Sequence, residues 1–109
     1  MDEFAALADP IRREIVELLA KRGRLSATEI SNQFSITAQA ISQHLKILRE
    51  ANVVQMEKRA QQRLYQINPD GMHQMEAWAR QIVQLWEQRF SALDALLEEE
   101  KQKDEGHKE

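Results

Sequence analysis

Gln39, Ser42, Gln43 and Lys46 fall in one stretch, SATEISNQFSITAQAISQHLKIL, residues 26–48. At about 100° per residue these four side chains cluster on one face of a helix. Roughly opposite them, Ile41, Leu45 and Leu48 repeat at i, i+4, i+7 as an apolar stripe. Amide, hydroxyl and ammonium groups on a helix face are the chemistry that reads base edges in a major groove. Gln can bond adenine bidentately, Ser several bases, and Lys guanine or phosphate. An ordinary solvated helix face has the same composition, so this helix alone leaves both readings level and its neighbours must decide. Enzymatic chemistry is poorly served. No His, Asp or Glu stands with a Ser in a convergent loop, and three glycines are too few for a phosphate-cradling loop. Ser42 and His44 are two apart on a helix and do not face each other. No enzyme activity and no cofactor are expected.

The elements that position this face are legible from their caps. Ser26 with Glu29 makes a capping box that starts a helix at about Ala27, ending near Phe34. Thr37 caps the recognition-like helix, residues 37–50. Upstream, Asp2 can cap a short helix holding Phe4 and Leu7. Asp9-Pro10 restarts the chain as a second helix to about Arg22, with Ile11, Ile15, Leu18 and Leu19 inward and Gly23 as its stop. Arg12 and Arg13, in its first turn, read as exposed surface charge in preference to phosphate contacts.

Downstream, Val53 to Lys58 and Arg63 to Ile67 each alternate apolar and polar residues at period two. They form a β-hairpin whose tip is Arg59-Ala60-Gln61-Gln62. A hairpin after a helix-turn-helix is a wing, here spanning 58–63 at its end, and it can lie along the DNA backbone or reach the minor groove. Asn68-Pro69-Asp70 then opens a long last helix to about Glu100, roughly 45 Å at 1.5 Å per residue. Met75, Trp78, Ile82, Leu85, Trp86, Phe90, Leu93, Leu96 and Leu97 run along it as a continuous apolar stripe. That is more apolar surface than a small helix-turn-helix core can cover, and the economical cover is a second copy of the chain. The fold expected is mainly α with a small β-hairpin wing: a winged helix-turn-helix of about five helices and two strands, the last helix long. Residues 1–100 make one domain, and 101–109 a charged tail expected to be disordered.

A net charge of −3 looks unfavourable for a nucleic-acid binder until it is divided along the chain. Residues 1–68 sum to +2 and 69–109 to −5, while 35–68 hold five basic against two acidic residues. Local charge, and not the total, attracts phosphate. The acidic total motivates an alternative: a winged-helix module that binds another protein without sequence-specific DNA binding. With no cysteine there is no disulfide framework, thiolate metal site or cysteine nucleophile. No apolar run approaches the roughly 18 residues of a membrane span, and MDEFAAL is acidic, unlike a signal peptide. A cytoplasmic protein without membrane contact is expected.

Leu7-Ala8-Asp9-Pro10-Ile11-Arg12-Arg13, then Ser42-Gln43-His44-Leu45-Lys46-Ile47-Leu48, Arg63-Leu64-Tyr65-Gln66-Ile67 and a Trp-bearing final helix together resemble the ArsR/SmtB family of bacterial winged-helix repressors, over about residues 4–97. The resemblance implies binding of a double-stranded operator, an imperfect palindrome near a promoter, with repression as the usual outcome. It implies a homodimer joined through the first and last helices, hence through Phe4, Leu7, Trp78, Ile82, Leu85, Trp86, Phe90 and Leu93. Carried over residue by residue, DNA reading falls on Thr37, Gln39, Ser42, Gln43 and His44. Phosphate or groove contacts fall on Lys46, Arg59, Gln61, Gln62 and Arg63. Helical geometry sets His44 beside the Ile41 stripe, so a half-buried structural histidine fits equally well. Many relatives have Pro where Gln39 stands, and Gly where Ala60 stands; without Gly a looser wing tip is expected. The family's metal sensors use cysteines in the helix before the recognition helix, or Asp and His on the last. Here the first place reads Ala27-Thr28-Glu29-Ile30-Ser31, and Asp70 with His73 fall short of the about four ligands of a tetrahedral site. No metal site is expected, which places the chain with the metal-independent branch; any effector or partner protein is left open.

Overall fold

Every helix of the computed structural model, which describes residues 2–106, starts on a side chain that accepts its orphaned N–H groups. Asp2 caps α1 (Glu3–Ala6), its Oδ1 accepting from the Ala5 N–H at 2.8 Å. Asp9 caps α2 (Pro10–Arg22), accepting from Ile11 at 2.8 Å and Arg12 at 3.2 Å. Ser26 and Glu29 exchange both bonds of the capping box at the start of α3 (Ala27–Ser31). The Thr37 hydroxyl accepts from Ala40 at the head of α4 (Ala38–Glu50). Asn68 accepts from the Asp70 N–H as α5 (Pro69–Gly106) begins. α3 is shorter than its apolar pattern suggests. Regular helix stops at Ser31, and single turns, Gln33 to Ile30 and Phe34 to Ser31, carry the chain on.

α4 is closed by a Schellman arrangement. Val53 N–H donates to the Leu48 carbonyl at 2.9 Å, with Asn52 between them at φ 61°. The polypeptide then enters β2 (Val54–Arg59) and returns as β3 (Gln62–Ile67), paired antiparallel from Val54 with Ile67 to Arg59 with Gln62. This register leaves only Ala60 and Gln61 in the turn. The looser tip expected from the missing glycine is not found; the turn is tight, and Ala60 takes the left-handed conformation itself at φ 52°. A third strand, β1 (Leu25–Ser26), adds to the expected pair. It lies beside β3, with Leu25 opposite Tyr65 and Ser26 opposite Leu64, giving sheet order β1-β3-β2. Two residues are too few to show a period in sequence, and Ser26 serves the strand and the α3 cap at once.

The chain divides into two units, Met1–Met75 and Glu76–Glu109. The first unit contains the core: Ile15 and Leu19 from α2, Ile30 from α3, Ile41, Leu45 and Leu48 from α4, then Val53, Val54 and Tyr65. Each of the larger aliphatic side chains contributes roughly 1.5–3 kcal/mol on burial. Within the second unit, α5 is helical throughout its described length. It continues past the expected end at Glu100 to Gly106; the remainder of the expected tail, 107–109, lies outside the described residues. No helix is long and apolar enough, among the described residues, to cross a membrane.

Candidate nucleic-acid interface

Burial of Ile41, Leu45 and Leu48, each at most 1% exposed, fixes the rotation of α4. The polar face must therefore turn outward, and Gln39, Ser42, Gln43 and Lys46 are all exposed. Beside them runs β3. Between the two elements lies an open groove of about 280 Å³, lined by Gln39, Ser42, Gln43, Lys46 and Arg49 of α4, by Arg63 and Tyr65 of β3, and by Ala27. Arg49 is the one cation of this groove absent from the sequence expectation. The signal was available, because it stands at i+3 from Lys46 and i+7 from Ser42. Among the described residues no carboxylate lies within ion-pair distance of Lys46, Arg49 or Arg63. Three positive charges without internal counterions beside two amides and a hydroxyl suit a polyanion with hydrogen-bonding edges.

The wing tip differs in its electrostatics. Arg59, Gln61 and Gln62 are exposed there but do not line the groove. Arg59 Nε is 3.3 Å from Glu57 Oε1, and Glu57 Oε2 is 3.2 Å from Arg24 Nη1. Arg59 thus brings a partly neutralised charge, in contrast to Arg63. Thr37 is exposed, with its oxygen engaged as the cap of α4; its hydroxyl hydrogen remains a possible donor.

His44 and Arg12 meet on the other edge of α4. Arg12 is not the exposed surface charge expected; its side chain is 13% exposed and ties three elements together. Arg12 Nε donates to the Ala6 carbonyl at 2.6 Å, and its Nη1 lies 3.3 Å from His44 Nδ1 and 3.9 Å from Asp9 Oδ2. Arg13 is exposed, as expected. Burial pushes the Asp9 carboxyl up, but N–H bonds from Arg12 and Ile11 and the Arg12 charge outweigh it, holding Asp9 below its ordinary value. The partial burial of His44 agrees with its place beside the Ile41 stripe.

Of the residues expected at a subunit contact, Phe4 is 47% exposed and Leu7 is half-buried against the core of the first unit. In the second unit Trp78, Ile82, Leu85, Trp86, Phe90 and Leu93 are all about half exposed, with Trp86 and Phe90 packed edge to face at 4.6 Å. Val83 belongs with them at 51% exposed. It was missed because it stands next to Ile82 and off the dominant i, i+4 spacing. Asp70 and His73 are both exposed on α5, and among the described residues no three His, Cys, Asp or Glu side chains converge.

A recognition helix laid beside a hairpin, with unpaired cations in the groove between them, defines a winged helix-turn-helix DNA-binding protein. The chain belongs to the ArsR family of bacterial transcriptional regulators. The family described as bacterial regulatory protein, arsR family, matches residues 9–56. The transcriptional repressor SdpR of Bacillus subtilis is 36% identical over 75 residues, covering 69% of this chain and 82% of that protein. The HTH-type transcriptional regulator Rv2034 of Mycobacterium tuberculosis is 33% identical over 97 residues, covering 89% and 87%. Among solved structures, an ArsR-like transcriptional regulator from Rhodococcus sp. RHA1 superposes with a TM-score of 0.75 at 27% identity, covering 85% of this chain and 87% of that one.

Proposed function

We propose that this regulator is a homodimeric, sequence-specific repressor that binds an imperfect palindrome near a promoter. The groove between α4 and β3 carries this reading, since Lys46, Arg49 and Arg63 line it without a carboxylate counterion among the described residues. α4 enters the major groove, where Gln39, Ser42 and Gln43 read base edges. The wing, with Arg59, Gln61, Gln62 and Arg63, follows the backbone or the adjacent minor groove. The exposed apolar side chains of α5 support dimerisation, because a monomer would leave two tryptophans and a phenylalanine in water. Paired subunits would set two recognition helices about one DNA turn, roughly 34 Å, apart. SdpR is itself named a transcriptional repressor, in keeping with this outcome.

The B. subtilis arsenical resistance operon repressor is also similar, at 35% identity over 68 residues. A thiolate-based sensing role is not proposed here, since the chain contains no cysteine. The regulator acts in the cytoplasm, from a DNA-binding and dimerising domain over 1–100.

Fluorescence anisotropy tests the reading, with duplex from upstream of the protein's own gene titrated against scrambled duplex at two salt concentrations. Salt-sensitive binding at least about a thousandfold tighter to the upstream duplex is expected. No binding to either duplex at low salt would count against DNA as the partner and favour a protein partner. Equal binding to both would make this a general DNA binder.

A further inference from the structure

Arg12 and His44 do more together than hold α4 against α2. A guanidinium has only donors, so Nδ1 of His44 accepts in the 3.3 Å contact with Arg12 Nη1 and bears no hydrogen. The ring hydrogen is thereby placed on Nε2. His44 is partly buried, and no hydrogen bond of the described residues uses Nε2. Yet among the described residues no buried side-chain nitrogen or oxygen lacks a partner. Nε2 is therefore reached by solvent: one nitrogen faces Arg12 and the other opens outward as a fixed donor.

Its position on α4 selects what that donor meets. At about 100° per residue His44 lies about 160° around the helix from Ser42. It thus sits on the edge away from the groove that holds Arg49 and Arg63. A helix lying in a major groove has a phosphate backbone on each side. The groove edge offers cations to one strand. The other edge offers His44, whose tautomer is set from behind by an arginine itself anchored to the Ala6 carbonyl and the Asp9 carboxylate.

We propose that His44 donates its Nε2–H to a DNA phosphate oxygen on the flank of α4 opposite Arg63, and that Arg12 is the positioning residue that fixes the tautomer. The inference rests on the DNA-binding reading above. The donor is neutral, so the contact fixes register on the duplex without releasing a counterion.

Two amide substitutions separate the two nitrogens. In His44→Gln the amide nitrogen reaches the Nε2 position; in His44→Asn the amide reaches only as far as Nδ1 and can still face Arg12. Anisotropy at pH 8 on the upstream duplex should place His44→Gln within about twofold of the unsubstituted protein. His44→Asn should bind at least about tenfold more weakly per half-site, the loss of one hydrogen bond to a charged acceptor. Both should keep the salt slope unchanged. The reverse order would mean that the Arg12 tie alone matters and would overturn the contact. A slope smaller by about one per subunit would also overturn it, by showing a charged ring. Nitrogen-15 spectra of the free protein at pH 8 should show His44 Nδ1 bare and Nε2 protonated; a hydrogen on Nδ1 would overturn the role of Arg12. If the unsubstituted protein binds no duplex, the DNA-binding reading fails and the phosphate contact with it, while the spectra still decide the tautomer.

Discussion

Gly71 lies so close to Asn52 that a Cβ placed on it would fall on the Asn52 carbonyl oxygen. Asn52 is the left-handed residue that closes α4, and Gly71 stands in the first turn of α5. The end of the recognition helix and the beginning of the last helix thus touch through backbone. Gly71→Ala must push that backbone apart, and a loss of about 2–4 kcal/mol is expected. Urea unfolding monitored by circular dichroism checks it; a midpoint within error of the unsubstituted protein would show that the contact yields freely.

The charge pattern of the groove makes a second prediction. Arg49→Ala and Arg63→Ala should each reduce the slope of log K against log salt by about 0.9 per subunit, about 1.8 for a dimer, weakening all duplexes alike. Gln43→Ala should leave the slope alone and relax base preference by about 1–3 kcal/mol at one position. Arg59→Ala should change the slope less than Arg63→Ala, because Glu57 already neutralises part of its charge. Salt titrations by anisotropy measure all four.

At the wing tip, Ala60 sits at φ 52°, where an L side chain is strained. Ala60→Gly should stabilise the fold by up to about 1 kcal/mol, the relief of left-handed strain less the added freedom of the unfolded chain. Thermal unfolding reads the change, and a destabilised variant would contradict the turn geometry.

The caps of α2 and α3 predict acid sensitivity. Asp9 is lowered from 3.8, as derived above. Glu29 is lowered from 4.5, chiefly by the Ser26 backbone N–H and then by the Ser26 hydroxyl. A depressed carboxyl binds fewer protons folded than unfolded, so its contribution is complete above the ordinary value and is lost as pH falls through the folded one. Stability from these two groups should hold from neutral pH to about 5 and decline below. Asp9→Asn and Glu29→Gln should flatten that decline, measured as urea midpoint between pH 7 and pH 3.

The proposed dimerisation through α5 predicts that Trp86→Asp dissociates the protein while the first unit, Met1–Met75, stays folded. Loss of a central aromatic contact is worth at least about 2 kcal/mol, or thirtyfold in dissociation constant. Sedimentation equilibrium measures the association, and Tyr65 in the core reports on folding of the first unit.

What the sequence determined by itself was the start of each helix and the facing of α4, whose physics closes within one or two helical turns. Asp2, Asp9, Ser26, Thr37 and Asn68 bond N–H groups two or three residues ahead. A helix start is therefore written next to itself. The Ile41, Leu45, Leu48 stripe likewise sets which face of α4 turns inward, and so turns Gln39, Ser42, Gln43 and Lys46 outward. Tertiary structure decided what depends on residues far apart in the chain. Arg12 reaches His44 across 32 positions, and no local pattern marks an arginine that will be part-buried. β1 exists because Leu25 and Ser26 find Tyr65 and Leu64, a pairing that two residues cannot announce. The tight wing turn follows from β2 and β3 pairing out to Arg59 and Gln62, a register that imposes on Ala60 a conformation its own propensity disfavours. Arg49 and Arg63 share a groove for the same reason: helix and sheet bury their apolar sides in one core, which brings their charged sides to face one space.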